Sequence, residues 1–211
     1  MDRLSFTQEF FLCTVTKRGR IPDATCLILG GIVELLELGY IGQTDKGLLE
    51  PAKPWYDGPL YLKPVYDRIA SSKKPMAAAR VVESIGAKPV KELVSEYRAS
   101  LIESGCADEI TRMNKKRPGF TPRMEAVKKI VDKIRAGLLS ETALSTDVIL
   151  LVTLLDAVGK ASEYFSKFER KELKKRIKEV RESEAGALIR DTLAVFSDAA
   201  VAATATAVVV N

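Results

Sequence analysis

The sequence predicts a mainly α-helical protein, with a central helical bundle ringed by amphipathic helices and one or two small β-hairpins. Apolar residues recur with helical periodicity over most of the 211 residues. No alternating apolar and polar run is long enough for a sheet-based fold. Residues 148–155 are apolar around the whole helix, which is typical of a helix enclosed by others. A chain of this length buries a sizeable core, and we predict a single domain over residues 1–211.

The first predicted helix covers residues 5–15 and opens with Ser5 and Gln8 as a capping box. A second helix, residues 23–38, ends before Gly39. Residues 40–49 are then expected to form a small hairpin. A connection rich in proline and glycine follows.

Seven more helices are expected, and two of them, at residues 75–85 and 89–103, open with proline in the first turn and close before Gly86 and Gly105. A basic loop or hairpin, residues 107–121, separates two groups of them. The helices are expected at residues 60–70, 75–85, 89–103, 123–138, 145–165, 169–183 and 185–210.

Histidine is absent, which excludes histidine bases, His-ligated metals and Ser-His-Asp or Cys-His nucleophile pairs. Cys13, Cys26 and Cys106 are odd in number and far apart, so they predict neither a disulfide framework nor a metal knuckle. Gly30-Gly31 lacks a dinucleotide-binding pattern and is better explained by close helix packing. We therefore expect no catalytic residues, no metal and no cofactor.

Two further patterns in the sequence have structural explanations. Glu34 and Glu37 are spaced like an acid and base pair, but such pairs are commonly surface residues. Residues 1–50 resemble a winged helix, yet the recognition helix, residues 23–38, contains no Lys, Arg, Asn or Gln. Such a helix belongs in a core, and we expect no nucleic-acid partner.

The basic segment Cys106 to Leu139 is the strongest candidate for a binding site. It has nine basic and four acidic residues, a net charge of +5 that equals the charge of the whole chain. Basic residues beside apolar ones suit an anionic membrane surface, although a solvated hairpin without a partner is the equal alternative. Three basic residues near the first turn form a second candidate contact. The predicted membrane-binding residues are Lys17, Arg18, Arg20, Met113, Lys115, Lys116, Arg117 and Phe120.

A second basic segment, Lys167 to Arg181, has eight basic residues and three glutamates spaced for local ion pairs. This pattern favours a solvated surface. The N-terminus carries Asp2 and Glu9 and no signal peptide is expected. We expect a cytoplasmic location, with the protein peripheral on the cytosolic face of a membrane where lipid is bound.

Several landmarks occur in an order and spacing that span nearly the whole chain. They are Leu4 to Leu12, Gly31 to Ile41, Asp45 to Leu49, Val94 to Gly105, the apolar helix through Tyr164-Phe165, and Lys174 to Val180 before an Ala/Val-rich end. Together they resemble the Golgi phosphoprotein 3 family, also called the 34-kilodalton Golgi phosphoprotein domain. The resemblance implies a peripheral membrane protein that binds phosphatidylinositol 4-phosphate and retains glycosyltransferase clients.

The chain departs from that family at the lipid site. The resemblance implies a Trp and an Arg near the second helix and two Arg before the core helix. The corresponding stretches here, Arg20 to Leu29 and Ala143 to Val148, contain none of the four, and Asp147 adds a negative charge. The long polar N-terminal arm is also missing, which favours a prokaryotic member. The sequence thus predicts a non-enzymatic peripheral membrane-binding protein with the specific head-group residues lost, or alternatively a soluble structural or protein-interaction module with no lipid ligand.

Overall fold

The computed structural model describes residues 4–16, 24–110, 119–140 and 144–182. Within them the protein is mainly helical with two small antiparallel hairpins, which confirms the predicted fold class. Contacts between residues divide this part of the chain into two units, residues 24–96 and residues 4–16 with 97–182. The single domain over residues 1–211 stays a prediction.

Nine α-helices lie within the described ranges, and a 3-10 turn at Leu60–Leu62 leads into the third. They are α1 (Phe6–Thr14), α2 (Ala24–Glu37), α3 (Lys63–Ala70), α4 (Ala78–Ser84), α5 (Ala87–Glu103), α6 (Met124–Leu139), α7 (Thr146–Ala157), α8 (Ala161–Tyr164) and α9 (Lys167–Glu182). Not one of these nine has the length and apolar character needed to cross a bilayer.

Two hairpins interrupt the helices. Strands β1 (Ile41–Gln43) and β2 (Leu49–Pro51) pair around a turn in which Gly47 has a φ of 71°. Strands β3 (Ala107–Ile110) and β4 (Gly119–Pro122) form the second hairpin, as an antiparallel pair. Both lie where the sequence predicts hairpins.

In the unit of residues 24–96, α2 packs against α3 and α4. Ten of its fourteen residues are buried, which confirms that this helix belongs to the core. A Cβ placed on Gly31 would lie 3.4 Å from Val65 and 3.5 Å from Leu62, so the glycine permits a close approach of α3. Met76 exchanges backbone hydrogen bonds with Leu49 of β2. Because Met76 is held extended, α4 starts at Ala78 and not at residue 75.

In the other unit, α7 packs against α1 and α8. Its residues 148–152, 154 and 155 are all buried, which confirms the predicted core helix. All nine residues of α1 are buried too, and Ser5 and Gln8 form the predicted capping box. The structure corrects the single helix predicted at residues 145–165, because Gly159, with a φ of 72°, separates α7 from α8. The predicted helix 185–210 lies outside the described residues.

Candidate functional site

The β3–β4 hairpin frames a short basic stretch of the sequence. Ile110 of β3 is paired with Gly119 of β4, and residues 111–118 connect these two positions along the chain. That connection contains four basic residues and no acidic residue: Arg112, Lys115, Lys116 and Arg117. Its own placement is outside the described residues, but the strands fix both of its ends.

An ion pair holds the base of this hairpin. The Arg123 guanidinium donates to both carboxylate oxygens of Asp108, with Nη2 at 2.6 Å and Nε at 3.0 Å. The hydrogen bonds from Arg123 lower the pKa of Asp108 below its ordinary value. The Arg123 backbone N–H also donates to the Cys106 carbonyl at 2.9 Å. Arg123 is therefore occupied in holding the two strands together.

Phe120 requires a correction. Its side chain is 2% exposed, so the ring is part of the core and does not face a membrane. It packs edge-on against Phe11 at 5.7 Å, and the Arg98 guanidinium lies 5.8 Å from the ring centre. The side chain is buried because β4 directs it toward α1. Phe120 thus anchors the hairpin to its unit.

Apolar exposure occurs instead at the start of α6. Met124 is 67% exposed, directly after the hairpin. Lys128, one turn further along, lies on the same face, and Lys129 is next to it. Both lysines are exposed and make no ion pair with a described residue. The charge of both lysines belongs to the basic segment predicted from the sequence, but the exposure of Met124 is not among the predictions. The i, i+4 spacing of Met124 and Lys128 is the sequence signal that indicates it.

The other predicted membrane-binding residues lie outside the described part of the chain. This applies to Lys17, Arg18, Arg20, Met113, Lys115, Lys116 and Arg117. Their role stays a prediction. The described hairpin and the first turns of α6 are the structural frame against which that prediction can be tested.

The two carboxylates of the candidate acid and base pair have different surroundings. Glu34 is buried and accepts a hydrogen bond of 2.7 Å from the Tyr61 hydroxyl. Glu37 is exposed. Glu34 therefore has a structural contact that links α2 to the turn before α3, and the pair does not share one environment.

The three cysteines are buried and free of disulfides. Burial, with a smaller contribution from the charge of Glu9, raises the pKa of the Cys13 thiol to about 12. A thiol with so high a pKa is a poor nucleophile. Within the described ranges no three Cys, Asp or Glu side chains are grouped so that they could hold a metal ion.

The fold and the site define a mainly helical protein with a basic hairpin inserted before an amphipathic helix. The family comparison agrees with the resemblance seen in the sequence: residues 8–207 match Golgi phosphoprotein 3 (GPP34). The match covers most of the chain, and the protein belongs to the Golgi phosphoprotein 3 family. A comparison with curated proteins finds no match.

Proposed function

We propose that this protein is a non-enzymatic peripheral protein that binds anionic membrane surfaces through its β3–β4 hairpin. The observation that supports the proposal is the run of positive charge from residue 112 to residue 129. It begins in the connection of the hairpin and continues into Lys128 and Lys129, which have no ion-pair partner among the described residues. Exposed Met124 supplies an apolar group within the same run.

The basic residues of this surface are attracted electrostatically to an anionic membrane. A basic residue close to an anionic leaflet contributes about 1 kcal/mol. Four basic residues in the connection, with Lys128 and Lys129, would together give a binding energy of about 6 kcal/mol at low salt. Salt weakens this attraction because the Debye length falls from about 10 Å at 0.1 M to about 3 Å at 1 M.

We propose further that binding depends on lipid charge and not on one head group. The Trp and three Arg that the family resemblance implies are absent from the corresponding stretches of this chain. Without bidentate arginines, recognition of a particular phosphate pattern is weak. Phosphatidylinositol 4-phosphate is thus expected to bind no better than another lipid at equal charge.

Vesicle co-sedimentation tests the proposal. The protein is mixed with neutral phosphatidylcholine vesicles, with vesicles that also contain phosphatidylserine, and with vesicles that contain phosphatidylinositol 4-phosphate at matched charge, each at two salt concentrations. The test variant combines Lys115→Ser, Lys116→Ser and Arg117→Ser. Loss of three charges is expected to cost about 3 kcal/mol at low salt, which is roughly a hundredfold in affinity.

The matched control removes three exposed lysines from the unit of residues 24–96. It combines Lys46→Ser, Lys73→Ser and Lys74→Ser, which lower the net charge by the same amount. The control is expected to retain nearly all binding. Equal losses in both variants would mean that only net charge matters, and failure of the unaltered protein to bind anionic vesicles would overturn the proposal.

A protein-interaction module is the second candidate, and one surface favours it. Tyr56 is 80% exposed and Leu60 is 62% exposed in the loop before α3, and Leu38 at the end of α2 is 42% exposed. The Lys53 ammonium donates to the Leu38 carbonyl at 2.9 Å, so this loop lies against the end of α2. Exposed apolar side chains such as these are typical of protein interfaces. Tyr56→Ser would leave vesicle binding unchanged under the membrane proposal.

A further inference from the structure

Helix α9 has one face made almost entirely of lysines. Lys167, Lys171, Lys174 and Lys178 follow the spacing i, i+4, i+7 and i+11, which places them along one side of the helix over about 16 Å. Lys175 lies beside this row, and all five side chains are exposed. We call these five residues the α9 lysine face.

The opposite side of α9 is fixed to its unit. Leu173 is 1% exposed. The Arg176 guanidinium donates to the backbone carbonyls of Gly137 and Ser140 at 3.0 and 2.6 Å. At the first turn, Glu169 accepts a hydrogen bond of 2.9 Å from Arg135 of α6. The lysine face is therefore presented by a rigidly attached helix.

Three of the five lysines on this face form ion pairs with described residues, and all of these pairs are exposed. Lys167 and Lys171 form no ion pair with a described residue. Lys174 pairs with Asp156 at 3.0 Å, whereas the nearest carboxylates to Lys175 and Lys178 are 3.8 to 4.0 Å away. Exposed pairs of this kind are worth about 0 to 1 kcal/mol, so the lysines can exchange them for another anionic surface.

An exposed aromatic side chain borders the face. Phe168 is 77% exposed in the first turn of α9. By helical spacing it is next to Lys171 and Lys175. Aromatic residues beside lysines are typical of segments that lie at the boundary between head groups and acyl chains.

The identity of the charged groups favours a membrane over nucleic acid. Lysine is a flexible point charge, whereas selective contacts to phosphates and base edges use the planar fork of arginine or the amides of Asn and Gln. Arg176 is occupied by two carbonyls, Arg170 is half-buried, and α9 contains neither Asn nor Gln. A row of lysines with a bordering Phe suits a diffuse, fluid negative surface.

We infer that the α9 lysine face is a second membrane-binding surface, which contacts anionic lipid through its lysines and inserts Phe168 at the head-group boundary. The inference rests on the proposed function, because it assumes that the protein meets an anionic membrane. The β3–β4 hairpin precedes the N-terminus of α6, and α9 is bound near its C-terminus. Two weak contacts at the two ends of one helix raise the overall affinity more than either contact alone.

The test compares three triple variants at equal net charge. The α9 variant combines Lys167→Gln, Lys171→Gln and Lys175→Gln, the hairpin variant is the one described above, and Lys46→Gln, Lys73→Gln and Lys74→Gln form the control. The affinity for phosphatidylserine-containing vesicles is measured by co-sedimentation. For the α9 variant it is expected to fall roughly a hundredfold at low salt, at about fivefold for each charge removed. A thermal melt checks that each variant is folded.

The outcomes separate the two proposals. If the unaltered protein binds no anionic vesicle, both fail. If the hairpin variant loses binding while the α9 variant matches the control, the inference about α9 is wrong and the proposed function stands. If the α9 variant alone loses binding, the hairpin is not the main contact.

Insertion of Phe168 has its own readout. Trp55 is the only tryptophan of the chain, so Phe168→Trp adds a single new fluorophore. With brominated acyl chains in anionic vesicles, its emission is expected to be quenched beyond the Trp55 background. Equal quenching of the variant and the unaltered protein would overturn insertion of this side chain.

Discussion

Helices α7 and α9 belong to the same unit and differ in almost every physical respect. Seven of the twelve residues of α7 are buried, and between Val148 and Leu155 every side chain is apolar except Thr153. Among the side chains of α9 that the structure describes only Leu173 is buried, and the helix has more lysines than any other residue type. One helix is held by the removal of apolar surface from water. The other is held by a narrow apolar contact and by a few hydrogen bonds from arginine.

This difference separates stability from binding. Burial of a Leu or Ile side chain contributes about 1.5 to 3 kcal/mol, whereas an exposed ion pair contributes about 0 to 1 kcal/mol. Substitutions in α7 should therefore change folding, and substitutions of the α9 lysines should leave folding nearly unchanged. Substitutions of the exposed lysines of α9 can therefore change what the protein binds without unfolding it.

The largest effect is expected for Leu151→Asp. Leu151 is 0% exposed at the centre of α7, so the new carboxylate would be buried without a partner. Such a charge costs about 3 to 5 kcal/mol, a large share of the 5 to 15 kcal/mol that stabilises a typical domain. We expect loss of the cooperative thermal transition, and Lys171→Asp on α9 is the control that should keep it. A Leu151→Asp protein that melts cooperatively near the normal temperature would contradict the architecture.

Helix α7 can be predicted from the sequence because a helix that is apolar on all sides has to be enclosed by other helices. Helix α1 was harder to interpret. Thr7, Gln8, Glu9 and Thr14 are polar by type and yet buried, and two of them have partners distant in sequence: Gln8 donates to Ser100, and Lys133 donates to Glu9. Local patterns do not contain such pairings. For the same reason the exposure of Phe120 was wrongly predicted, since its burial depends on Phe11, 109 residues away.

The candidate site also has local features that the sequence predicts and others that depend on residues distant in sequence. Net charge and the position of the hairpin could be predicted from the sequence, because both are local properties. It could not be predicted that Lys128 and Lys129 have no ion-pair partner among the described residues, because this depends on whether a carboxylate from elsewhere in the fold reaches them. The sequence predicts a solvated surface for α9, and its ion pairs are exposed and therefore weak. Their weakness is what makes the face available to a ligand.

A smaller loss of stability is expected for Lys133→Met. The Lys133 ammonium lies 2.8 Å from Glu9, whose side chain is 8% exposed, while that of Lys133 is 35% exposed. Removing the lysine leaves a buried carboxylate without this donor, which we expect to cost about 2 to 3 kcal/mol because the site is partly open to water. Glu9→Gln together with Lys133→Met should recover most of this loss. Denaturant unfolding of the unaltered protein, the two single variants Glu9→Gln and Lys133→Met, and the double variant measures the pair directly. An unchanged midpoint for Lys133→Met would contradict the role given to the pair.

The smallest effect lies at the start of α9 and depends on pH. Glu169 accepts a backbone hydrogen bond from Ser166 at 2.7 Å and one from Arg135, and these lower its pKa to about 2.

Because the folded pKa of Glu169 lies below the ordinary value of about 4.3, its carboxylate stabilises the protein above that value. This contribution is lost as the pH falls toward 2. Glu169→Gln keeps a capping residue and removes only the charge, so it isolates this effect. Partial exposure limits the difference to about 1 kcal/mol at pH 7. Unfolding midpoints of the two proteins should converge between pH 4.3 and about 2, and a difference that persists at the lower pH would show that the charge of Glu169 is not its source.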